Sequence, residues 1–98
     1  MANLTVANEI LNQLGNRRFI AMTGATNFIT DANALIFKIM KNEKKVTHIR
    51  ITLVADLYNV EFINVRGLNY KTLETVEMVH AENLRNVFTA NTGLDTNL

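Results

Sequence analysis

Few side chains in this chain have the types and spacing that chemistry requires. The two histidines, His48 and His80, lie far apart, and neither has a second His or a carboxylate at ligand spacing. A metal site needs three or four converging donors, so each reads as an ordinary surface or boundary histidine. Acyl transfer needs an activated nucleophile; the chain has no Cys and no Ser, and no Thr stands at the N-terminus. Glu74 and Glu77 are close, but on a strand positions three apart point to opposite faces and cannot share a substrate. Gly24 stands alone, with no Gly-Lys-Thr after it, so no phosphate loop is present. The expectation is a protein that is not an enzyme and needs no metal or cofactor.

Charge is the remaining candidate. Lys38, Lys41, Lys44, Lys45 and Arg50 face only Glu43 in the stretch 38–50, whereas Glu74, Glu77, Glu82 and Asp95 outnumber Arg85 beyond Thr72. With His48, those basic residues could follow a phosphate backbone, giving weak and salt-sensitive contact with nucleic acid. A charged hairpin loop of this kind is more often simply solvated and keeps strand edges from aggregating. Net charge is only +1, so no global field favours nucleic acid or an acidic membrane.

The element that positions these residues is 46–66, VTHIRITLVADLYNVEFINVR. Thr47, Ile49, Ile51 and Leu53 alternate with His48, Arg50, Thr52 and Val54; Tyr58, Val60 and Phe62 alternate with Asn59 and Glu61. Period-two alternation predicts an antiparallel hairpin, buried on one face, turning at Ala55-Asp56. Its other face would carry His48, Arg50, Asn59 and Glu61.

Around it, 3–14 predicts a helix capped by Asn3 or Thr5, with Val6, Ile10 and Leu14 on its apolar stripe and Gly15 ending it. Residues 17–23, RRFIAMT, read as a strand covered on both faces, broken by 24–27. Phe28-Ile29 fits either a short extended piece or a single turn. Residues 34–40 predict a strand with Leu35, Phe37 and Ile39 on one face, and 70–79 a further strand, although Leu73, Val76 and Met78 also fit a helix. Residues 81–92 predict a helix ended by Gly93, with Leu94 folding back onto it and 95–98 along the surface.

The fold class expected is therefore α+β. One domain spanning 1–98 holds an antiparallel sheet of about five strands, with an N-terminal and a C-terminal helix on one face. Composition agrees: 98 residues, 48% of them hydrophobic and 19% charged, suit one packed core. The chain has no Pro but fourteen Asn and eleven Thr, a bias that an AT-rich genome would produce and that supplies turn-forming residues. The start lacks a basic region followed by an apolar run, and no stretch approaches the roughly eighteen apolar residues that span a bilayer. The expectation is a cytoplasmic protein with no membrane partner.

Three segments carry a resemblance: NEILNQLGNRRFIAMTGATNFI (8–29), IRITLVADLYNVEF (49–62) and NLRNVFTANTGLDTNL (83–98). The chain resembles small uncharacterised proteins of bacteriophages and bacterial mobile elements. Those share a helix, LGGNRF, MTGA and NF in order, then a strand pair ending DLYxVEF and a helix before TGL. Gly15-Asn16 departs from the doubled glycine, and Asp95 stands where an aromatic is common. The resemblance implies a phage context in a bacterial host, and no mechanism. It directs attention to Arg18, Met22, Thr23, Gly24 and Asn27. Two functions follow as expectations: binding of a host or phage protein through the open sheet face or the Thr23–Asn27 loop, or weak nucleic-acid binding by the 38–50 hairpin. A sheet edge could also pair two copies of the chain.

Overall fold

Alternation within 48–54 and 57–66 sets the register of the whole sheet. In the computed structural model, which describes residues 4–31 and 33–94 with the side chains of Leu4 and Thr5 excepted, these segments are strands β3 (His48–Val54) and β4 (Leu57–Arg66). Ile49 stands opposite Phe62, Ile51 opposite Val60 and Leu53 opposite Tyr58, while Arg50 faces Glu61 and Thr52 faces Asn59. The apolar and polar faces fall as the alternation requires. Ala55 and Asp56 close the hairpin with φ of 49° and 70°, the positive pair that a type I′ turn demands.

On either side lie β1 (Thr26–Thr30), β2 (Ala34–Lys38) and β5 (Asn69–Val79), and the sheet runs β1-β2-β3-β4-β5 with every neighbour antiparallel. Helices α1 (Leu4–Leu14) and α2 (Asn16–Thr23) precede it; a 3-10 turn, Ala81–Asn83, leads into α3 (Leu84–Thr92) after it. The fold is α+β, as expected. The expected cap Asn3 and the tail 95–98 lie outside the described residues, as does the side chain of Thr5, whose backbone falls within α1.

The strand expected at 17–23 is instead helix α2, and the first strand is 26–30, where the sequence left the conformation open. The apolar run Phe19, Ile20, Met22 satisfies either period, and packing decides between them. Phe19 and Thr23, one helical turn apart, are fully buried while Arg17, Arg18 and Ala21 are exposed, so one face is covered rather than two. The Thr23 hydroxyl donates to Phe19 O at 2.8 Å, satisfying itself inside the helix. Gly15, at φ 123°, bends the chain from α1 straight into α2. Gly24 ends α2 at φ 66°, its N–H reaching Ile20 O at 2.9 Å.

Buried side chains of all three helices join one cluster with one sheet face: Ile10 and Leu14, Phe19, Leu84 and Phe88 meet Leu35, Phe37, Ile49, Ile51, Val60 and Phe62. Rings thread through it, Phe88 to Phe19 at 5.0 Å, Phe19 to Phe37 at 5.6 Å and Phe37 to Phe28 at 5.6 Å. Burying Phe19, Phe37 and Phe88 stabilises the fold by about 1.5–3 kcal/mol each, whereas Phe28 stays partly exposed at the margin. At the chain's end Gly93 takes φ 77° and Leu94 packs against the core, as the sequence predicts.

Both edge strands are irregular. The β1–β2 register slips between Thr26 and Ile29, around Asn27 at φ 54°. On β5 it slips twice, beside Leu73 and beside Met78 at φ 57°. Asn59 Oδ1 accepts the Met78 N–H at 3.1 Å, replacing a ladder bond that the bulge removes. Bulges of this kind twist a sheet edge away from further pairing.

Candidate interaction surfaces

The residues around Thr23–Asn27 do not share one surface. Arg18 is exposed near the start of α2, and Asn27 is exposed in β1. Thr23 is fully buried between them. Gly24 has a backbone role: its φ is left-handed, and a Cβ there would come within 3.1 Å of Met40 Cβ. The contact is held by Met40 N–H donating to Thr23 O at 2.9 Å, which ties the β2–β3 loop to the end of α2.

The basic residues of 38–50 divide among three places. Lys38, His48 and Arg50 share the open sheet face: Lys38 lies across from His48, and Arg50 sits between Ile36 and Glu61. Arg50 Nε is buried with no hydrogen-bond partner, although Glu61 is its cross-strand neighbour. His48 Nδ1 lies 2.9 Å from Thr47 Oγ1, and burial, reinforced by the Lys38 charge, holds its pKa below the usual histidine value. It therefore adds little positive charge near neutral pH.

Lys41 and Lys45 border a cleft of about 270 Å³ with Asn42, Thr47, Asn64 and Arg66. Asn42 builds this loop: its Nδ2 donates to Met40 O at 3.0 Å and Val46 O at 2.7 Å, and its Oδ1 accepts the Val46 N–H at 3.1 Å. Asn64 Nδ2 adds a bond to Lys45 O at 2.6 Å, bringing the end of β4, and with it Arg66, to the same cleft. Nothing in the local spacing of 38–50 announces Arg66, because strand register supplies it. Lys44 borders a different hollow of about 240 Å³, where Leu73, Glu74 and Asn91 are its neighbours.

A third concavity, about 700 Å³, opens between the α1–α2 corner and α3. Leu11, Ile20, Arg17, Arg18 and Arg85 line it together with Gly15 and Asn16. Arg85 is held there by Nε donating to Gln13 O at 3.2 Å, which satisfies a carbonyl in the last turn of α1 that has no partner within its helix. Of the three arginines, only Arg18 stands out in the sequence. Reading 17–23 as a strand hid Arg17, and Arg85 arrives from the other end of the chain.

Large apolar side chains also lie in the open. Strand β5 is exposed at every position except Val76 and Val79, with Tyr70 62% and Met78 70% accessible; Leu68, in the turn before it, is fully accessible. Phe28, Ile29 and Met40 are exposed around the opposite edge. Among the described residues no three His, Asp or Glu side chains come together as a metal site, and no helix is long and apolar enough to cross a membrane. No protein-family model, curated protein or solved structure matches the chain.

Proposed function

We propose that this chain is a small phage-type accessory protein that works without catalysis in the cytoplasm of a bacterial host, by binding a host or phage protein. The observation that carries this reading is β5. It is an eleven-residue edge strand with almost no covering layer, and exposed Tyr70, Leu73 and Met78 are spread along its length, with the exposed Leu68 in the turn before it. Exposed aromatic and Met side chains along one element are of the kinds enriched at the centre of protein interfaces. The bulges at Leu73 and Met78 shorten the regular edge that a second strand could extend, so side chains rather than a continued ladder are the expected contacts.

The test is capture from bacterial lysate with nuclease present, comparing the wild type with Tyr70→Glu/Met78→Glu. Both positions are exposed, so the variant should keep its fold. A protein retained by the wild type and lost by the variant is the expected result. Equal capture by both would remove β5 as the contact.

A second reading, weak nucleic-acid binding, draws on Lys41 and Lys45 bordering one cleft with Arg66. Lys44 in a separate hollow beside Glu74 and a largely neutral His48 weaken it. Such binding should fall steeply between low and physiological salt and vanish in Lys41→Glu/Lys45→Glu, whereas an interface with an apolar centre should tolerate both changes. Should β5 pair two copies of this chain instead, sedimentation would give a dimer that Tyr70→Glu/Met78→Glu returns to monomer.

A further inference from the structure

Ten basic and nine acidic residues nearly balance in this chain, so three cations meeting without an acid is not a by-product of general basicity. Arg17, Arg18 and Arg85 do this around the 700 Å³ cleft between the α1–α2 corner and α3, whose lining contains no Asp or Glu. Among the described residues the side chains of Arg17 and Arg18 make no ion pair or hydrogen bond, and the Arg85 side chain uses only Nε, on Gln13 O. Most of the guanidinium N–H groups at the cleft are therefore free to bind an anion. The rest of the lining is aliphatic: Leu11 and Ile20 are half-buried and pack against the core.

We propose that this cleft is the docking groove for an acidic, apolar segment of a protein partner, with Arg17, Arg18 and Arg85 binding its carboxylates and Leu11 and Ile20 receiving its aliphatic side chains. The inference rests on the reading that the protein acts by binding another protein, and it adds a site separate from β5. Three features select this occupant. Guanidinium forks match carboxylates with two parallel hydrogen bonds, each charge-assisted. An aliphatic floor favours a ligand with apolar side chains over a bare inorganic anion. No aromatic ring lines the cleft, so the stacking platform that holds single-stranded bases is missing. Volume agrees, since about 300–1,000 Å³ is usual for pockets that take up a ligand.

The experiment is fluorescence anisotropy with a labelled short peptide alternating Glu and Leu. A Gln-for-Glu version, a labelled oligothymidylate and unlabelled pyrophosphate as competitor serve as comparisons. The Glu–Leu peptide should bind the wild type, and its affinity should fall by about tenfold or more in Arg17→Glu/Arg18→Glu, as expected for losing charge-assisted partners. It should be nearly unchanged in Lys41→Glu/Lys45→Glu, which alters the net charge equally at a different cleft. The Gln version should bind more weakly, and pyrophosphate should compete poorly. Arg17 and Arg18 are exposed, and Arg17→Gln is the milder variant should the double one melt early.

Equal losses in the two double variants would overturn the cleft assignment in favour of diffuse charge. Tighter binding of oligothymidylate, lost with Arg17 and Arg18, would replace the acidic segment by nucleic acid; effective competition by pyrophosphate would replace it by a small phosphate. No peptide binding, with a partner still captured through Tyr70 and Met78, would overturn the cleft alone. Failure of both would overturn the protein-binding reading itself.

Discussion

Two residues concentrate what single side chains decide here. Gly24 is needed on two grounds, a left-handed φ of 66° and Met40 Cβ within 3.1 Å of any added Cβ. Gly67 has nearly the same φ, 62°, but open space around it. Gly67→Ala should therefore report the backbone cost alone, about 1–2 kcal/mol, and Gly24→Ala that cost plus the clash. Urea unfolding of the two variants checks this; equal losses would mean that Met40 yields freely. His48 provides a pH dependence. Its folded pKa lies below the ordinary histidine value, so beneath that value the unfolded chain takes up the proton more readily than the folded one. Stability from this group is complete near neutral pH and declines as the solution is acidified through the ordinary value toward the folded one. His48→Gln should shrink the difference in urea midpoint between pH 7.5 and pH 5. An unchanged difference would place the pH sensitivity elsewhere.

At the scale of elements, the central hairpin shows how a turn can be both necessary and imperfect. The alternation on either side leaves two residues for the connection, and a two-residue loop of the type I′ kind takes positive φ at both. Ala55 meets that demand at φ 49° although its Cβ disfavours it. Ala55→Asn should stabilise the protein by about 0.5–1 kcal/mol, since Asn accepts the left-handed region more readily. A thermal melt is sufficient to check this, and a lowered melting temperature would show that Ala55 has a contact worth more than its strain. Helix α2 teaches the opposite lesson. Within RRFIAMT both periods are satisfied over so short a run, and Phe and Ile favour strands by propensity. Docking Phe19 between Phe37 and Phe88 outweighs that preference, because an edge-to-face ring pair is worth about 0.5–1.5 kcal/mol beyond the area it buries.

For the whole molecule, one core joins helices from both ends of the chain to a single sheet face, and the charged surface follows from that closure. Arg17 and Arg18 share a cleft with Arg85 only because α3 returns to the α1–α2 corner, where Arg85 binds Gln13 O. The basic stretch 38–50, continuous in sequence, is divided the opposite way. Lys38 goes to the open face, Lys41 and Lys45 to a cleft shared with Arg66, and Lys44 to the hollow beside Glu74. Proximity in sequence thus overstated one basic site and concealed another. The net charge of +1 spreads as local clusters rather than as one field, so salt should modulate partner binding site by site.

Much of the fold is legible without coordinates: the central hairpin with its turn and two faces, the strands read at 34–40 and 70–79 and found at Ala34–Lys38 and Asn69–Val79, both terminal helices and the glycine ending the last one. Each rests on a local rule, a period of two or about 3.6 or a left-handed cap, that a few neighbouring residues are enough to state. Tertiary structure decided the remainder. It chose helix over strand for 17–23, made 26–30 the first strand, placed bulges at Asn27 and Met78, buried Thr23 and gathered Arg17, Arg18 and Arg85. These outcomes depend on which distant surfaces meet, and contacts across seventy residues, such as Arg85 to Gln13, leave no trace in local periodicity.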